Sequence, residues 1–219
     1  MPPVDLRYPF EGRWLTQHSP ADRVPSHGTA EFATSYAIDF VPVGADGRSG
    51  AITLASLVRP EPAERFPGFA RPILSPVAGV VVATHDAEPD HDAYRGVPSI
   101  GYALGQRRRA SLGWLALAGN HVMIRAEGGI VVLCHLQRAS VSVRIGQAVR
   151  PGEQVGRCGN SGNSTEPHVH LQVVDRLDVV HARAVPITFG GWLPRNGEVV
   201  DADQSVRSSR SRRLTTPPG

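Results

Sequence analysis

The segment Val169-His170-Leu171-Gln172-Val173 alternates apolar and polar side chains with a period of two. That is the signature of a strand with one face in a core. Extended backbone sends successive side chains to opposite faces. His168, His170 and Gln172 therefore share one face and Val169, Leu171 and Val173 the other. The Gly/Asn/Ser run from Gly156 to Glu166 reads as a tight loop that delivers the chain into this strand. Two imidazoles side by side on a rigid strand suit a metal ligand with a catalytic neighbour.

Other short β segments surround it, at residues 29–34, 36–41, 51–58, 77–84, 121–126, 130–136, 141–149, 154–158 and 185–189. Residues 29–34 and 36–41 read as a hairpin, and Glu127-Gly128-Gly129 signals the turn of another. With 23 glycines and 19 prolines in 219 residues, the chain is cut into strands and turns rather than long helices. The expected fold is mainly β: an antiparallel, barrel-sandwich-like core carrying a short, partly helical insertion at about residues 85–118. Residues 1–26 read as an N-terminal arm lying across the domain. Residues 27–200 read as the domain itself, and residues 201–219, with four of the arginines and few apolar groups, as a disordered basic tail.

Every one of the 23 basic residues is arginine, and the formal charge is only +3. That is too small a surplus to imply nucleic-acid binding. The total absence of lysine also excludes a lipoyl- or biotinyl-carrier module, which the Gly-turn rhythm of residues 75–81 and 146–156 would otherwise suggest. The N-terminus lacks the charged start and apolar run of a signal peptide, and the longest apolar stretch, residues 112–118, is too short to span a bilayer. The expectation is a cytoplasmic chain, or an exported one whose leader lies outside this sequence. Cys134 and Cys158 sit in apolar strand contexts and read as buried thiols. No Cys-Xaa-Xaa-Cys pair is present.

A zinc site needs about four ligands, and a catalytic one keeps a position for water. His170 offers one imidazole. Asp39, in Tyr36-Ala37-Ile38-Asp39-Phe40, is an acid inside an apolar strand, costly unless paired or bound to a metal. His27 lies one strand upstream, with His18 as the fallback. His135, after Val131-Val132-Leu133-Cys134, faces the same site if its strand neighbours that of His168 and His170. The acid-rich stretch 85–92 reads as a solvated loop, His121 as an edge-strand residue and His181 as surface.

Four pieces, in order, resemble the lysostaphin-type zinc metallopeptidases, the LytM-like murein endopeptidases. They are His27 with Tyr36-Ala37-Ile38-Asp39-Phe40, then Ser75-Pro76-Val77-Ala78-Gly79-Val80-Val81, then Cys134-His135-Leu136, and last Gly159-Asn160-Ser161-Gly162-Asn163-Ser164-Thr165-Glu166-Pro167-His168-Val169-His170. The resemblance implies one catalytic Zn2+ bound by His27, Asp39 and His170, with His135 and His168 catalytic. It also implies a peptide substrate, in peptidoglycan stems or cross-bridges. In that family the first His and the Asp stand four residues apart. Here they stand twelve apart, as in a divergent branch with a longer connection. Two further readings accompany it: an inactive wall-peptide-binding relative, which typically has lost ligands, and a peptidase for a non-wall peptide.

Overall fold

The computed structural model describes residues 1–203, apart from 52, 55, 106–108 and 110. Its centre is an open antiparallel sheet of eight strands, in the order β12-β2-β3-β10-β7-β6-β5-β8. These are β2 (Arg13–Gln17), β3 (Ile38–Pro42), β5 (Gly79–His85), β6 (Asn120–Ala126), β7 (Gly129–Leu136), β8 (Ala148–Val149), β10 (Val169–Val174) and β12 (Val199–Asp201). Two small ladders flank it: β1 (Val4–Leu6) parallel to β11 (Ile187–Phe189), and β4 (Pro72–Leu74) antiparallel to β9 (Gln154–Arg157). The sheet does not close into a barrel.

Both faces of this sheet are covered. On one, Ile38, Phe40, Val131, Leu133, Val169, Leu171 and Val173 join Phe10, Trp14 and Phe189 in the main core. The other carries a smaller cluster, with Val132, Cys134, Val174, Met123 and Ala33. The alternation of β10 thus holds along its length: 169, 171 and 173 enter the main core, and 170, 172 and 174 face the other side.

Four segments differ from the sequence expectation. The N-terminal arm is part of the sheet: β2 pairs with β3 and β12, and Trp14 stacks on Phe10 at 4.3 Å in the main core. Its alternation is only five residues long, and the neighbouring prolines obscure it. Residues 29–34 form a 3-10 turn at Glu31–Ala33 instead of a strand, because the Thr34 hydroxyl donates to the carbonyls of Thr29 and Glu31. The described residues of 51–58 are turns. Thr53 and Ser56 exchange side-chain and backbone hydrogen bonds, which offer the backbone an alternative to a ladder, and Leu54 and Val58 stay exposed. Residues 141–147 run as loop, leaving only β8 of the long segment expected there.

The insertion is partly helical, as expected, with α1 (Val97–Leu104) and α2 (Trp114–Ala118). Residues 106–108 and 110 of the insertion and the tail from residue 204, expected to be disordered, lie outside the described residues. Both cysteines are buried free thiols. No helix among the described residues is long and apolar enough to cross a membrane.

Candidate metal centre

Three antiparallel strands place the central residues. In register, His170 of β10 stands opposite Asp39 of β3 and Cys134 of β7. Directly opposed residues point to the same face, so Asp39 and His170 meet by sheet geometry alone. Their side chains are 2.9 Å apart, Asp39 Oδ1 to His170 Nδ1. His27 Nε2 approaches the other carboxylate oxygen at 3.1 Å, and His168 Nε2 lies 3.8 Å from it. The His135 ring is 4.7 Å from that of His168 and 5.9 Å from that of His170. All five expected residues therefore converge, and Asp39, His135, His168 and His170 are each no more than 9% exposed.

His135 reaches this face by a break in the strand. Asn120 pairs with Leu136 but Val122 pairs with Leu133, so two residues of β7, Cys134 and His135, oppose one of β6. Regular alternation would send His135 to the main core beside Leu133. Its left-handed φ of 62° turns the ring toward His168 instead. The twelve-residue separation of His27 and Asp39 is bridged by the 3-10 turn at Glu31–Ala33, with Ser26 N bonded to Ser35 O.

Hydrogen bonding decides which nitrogen each ring offers. Gln172 Nε2 donates to Phe32 O, so its Oε1, 2.8 Å from His170 Nε2, must accept. His170 therefore carries its proton on Nε2 and turns the Nδ1 lone pair toward Asp39. The Ser26 hydroxyl donates to Thr34 O and accepts from His27 Nδ1, leaving the Nε2 lone pair of His27 on the same carboxylate. Lone pairs aimed from two sides at one carboxylate repel unless a cation lies among them. This donor set fits a divalent ion with N and O ligands. Without a metal, a proton between His170 and Asp39 does the same work. Burial alone would lower the His170 pKa, but the Asp39 hydrogen bond and charge, with Gln172, raise it. Burial opposes charge on Asp39, yet the surrounding imidazoles, His27 and His168 foremost, hold it well below the usual carboxylate range.

The remaining two rings are arranged differently. His168 Nδ1 donates to Glu166 O at 2.8 Å, and His135 Nδ1 to Ser161 O at 2.9 Å. Each, when neutral, keeps a free lone pair on Nε2. Burial, reinforced by the charges of His168 and His170, pushes the His135 pKa well below the ordinary value. It is a neutral base at pH 7.

The loop 159–164 is pinned by Asp90, which accepts from the backbone N–H of Asn160 and of Arg138, while Asp86 holds the segment after β7 by accepting from Ser140 and Val141. The acid-rich stretch is thus a set of backbone clamps and not a solvated loop. His121 belongs to an interior strand, is buried, and donates from Nδ1 to Gly119 O. His181 is at the surface, bonded to Asp178, as expected. Sequence reasoning passed over Ser26 and Gln172 as orienting groups. Their signals are adjacency to His27 and the shared face with His170.

Residues 102–182 match the sequence profile of Peptidase family M23. A 78-residue stretch is 32% identical to the peptidoglycan DD-endopeptidase ShyA of Vibrio cholerae serotype O1, covering 36% of this chain and 18% of that relative's length. The chain also aligns with the lysostaphin catalytic domain of Staphylococcus simulans (16% identity, 68% of this chain, 74% of that one, TM-score 0.38). A further alignment is with the M23 metalloprotease pseudoalterin (13% identity, 91% and 95%, TM-score 0.46). The profile match contains His135, His168 and His170, while His27 and Asp39 lie outside it.

Proposed function

We propose that the chain is a zinc-dependent endopeptidase of the lysostaphin type that hydrolyses peptide bonds in peptidoglycan stems or cross-bridges; the match of residues 102–182 to Peptidase family M23 supports this reading. The observation that carries this reading is the pair of imidazole lone pairs, from His27 Nε2 and His170 Nδ1, aimed at the buried Asp39 carboxylate. These three residues hold the ion. Zinc, when bound, lowers the pKa of its water to about 7 and polarises a carbonyl oxygen.

The protein's own groups supply the rest. His135, held neutral with its Nε2 lone pair free, accepts the proton of the attacking water and later returns it to the leaving amine. His168, held through Nδ1 by Glu166 O, presents Nε2 to the carbonyl oxygen and stabilises the charge that develops there. The sheet and the clamped loop 159–164 keep both rings in place, so little reorganisation is needed at the moment of reaction.

The test is zinc content together with release of soluble fragments from peptidoglycan sacculi and from a glycine-rich peptide. Wild type should hold about one zinc per chain and cleave the sacculi, and His170→Ala should lose both. Zinc-loaded protein that cuts neither substrate would mark a binding relative. Cleavage of the free peptide alone would move the substrate away from the wall.

A further inference from the structure

His18 stands at the edge of this centre and is used by none of the roles above. It follows Gln17, the residue of β2 paired with Asp39. In an unbroken strand, Gln17 would share the face of Asp39, and His18 would turn with Thr16 and Phe40 toward the main core. Instead His18 takes a left-handed φ of 50°, a conformation costly for a side chain with a Cβ. The ring comes back to the metal face and stacks on His27 with centroids 4.7 Å apart. One ligating atom each from His18, His27 and Asp39 lie within 4.8 Å of one another. The same device, a left-handed residue that overrides strand alternation, delivers His135. Two of the histidines of this site are therefore held on its face by backbone strain.

We propose that His18 is a fourth protein ligand to the ion held by His27, Asp39 and His170, and that it occupies the position otherwise open to water. The inference rests on the metal-centre reading above. With the ion bound, four protein groups would hold it and the site would be closed to water. Since His18 is exposed and sits at the end of β2, it is the ligand that can leave. Entry of water and substrate then requires its displacement, and the N-terminal strand acts as a latch on the metal.

The experiment compares cobalt- and zinc-loaded wild type with His18→Gly. Glycine accepts the left-handed backbone, so the variant removes the imidazole without imposing new strain. Zinc affinity, measured by chelator competition, should fall at least about tenfold, the scale on which even outer partners of a metal act. Azide should perturb the cobalt absorption spectrum of His18→Gly at concentrations at least about tenfold below those needed for wild type, and free imidazole should restore the wild-type spectrum. Equal zinc affinity and equal azide titrations in the two proteins would overturn the proposal. His170→Ala separates the two levels: if it loses the metal while His18→Gly matches wild type, only the role of His18 falls. If wild type itself takes up neither zinc nor cobalt, the metal centre falls with it.

Discussion

At the scale of single residues, the site works by fixing tautomers. Gln172 and Ser26 are not among the proposed ligands, yet their hydrogen bonds decide that His170 presents Nδ1 and His27 presents Nε2. Gln172→Ala should weaken zinc binding about 10- to 100-fold without unfolding the sheet, as losses of such orienting groups do. Chelator competition measures it, and unchanged affinity would show that the ring orientation has another source. His135→Ala and His168→Ala should each keep the zinc and lose at least about 100-fold in turnover, the usual contribution of acid–base groups. Loss of zinc from His168→Ala would reverse the assignment of roles. Asp39 and His170 were legible in the sequence because each interrupts an apolar strand, and strand pairing then does the rest. His18 and His135 were less so. Their direction depends on a left-handed φ at one position, which no hydrophobic period records.

Among elements, the loop from Gly159 to Ser164 bears the most constraint. Gly162 has a φ of 72°, and a Cβ built there would come within 2.6 Å of Leu117 O. Gly119, with a φ of 60°, meets Ser161 in the same way, so α2 and the loop pack backbone against backbone. Gly162→Ala should destabilise the protein by at least ~1–2 kcal/mol from the left-handed backbone alone. It should lower turnover further by moving Ser161, the partner of His135. Thermal unfolding alongside the sacculus assay checks both, and a variant equal to wild type in each would show that the loop tolerates displacement. The sequence marked this loop by composition, but not its clamp, since Asp90 acts on the amide of Asn160, 70 residues away. The strand expected at 51–58 failed for the converse reason. A local Thr53–Ser56 network outcompeted a long-range ladder that its apolar content alone suggested.

For the whole molecule, the proposed metal binding would be linked to folding through protons. The raised pKa of His170 means that, without metal, its pairing with Asp39 stabilises the fold fully below about pH 6.5 and is lost as pH rises through the raised value. Asp39 acts at the other end: its contribution is present above about pH 3.9 and is lost as pH falls through its depressed value. Zinc must displace the proton on His170 Nδ1, so its affinity rises over the window in which the metal-free protein loses that pair. The zinc-induced increase in Tm should therefore grow as pH rises above about 6.5. An increase that is flat or shrinks with pH would mean that no ligand proton is released there. Open-sheet architecture with the site on the less populated face was only partly readable. The period-two pattern announced the β class and the strands from 121 to 136. The incorporation of the N-terminal arm as β2, which makes Asp39 an interior residue of the sheet, required the three-dimensional pairing.

The central claim is one divalent ion among His27, Asp39 and His170. Anomalous diffraction at the zinc edge from crystals of the zinc-loaded protein tests it most directly. Expected is a single peak about 2.0–2.2 Å from His27 Nε2, from His170 Nδ1 and from one Asp39 oxygen. A peak bound by His170 through Nε2, or one lying away from Asp39, would contradict it.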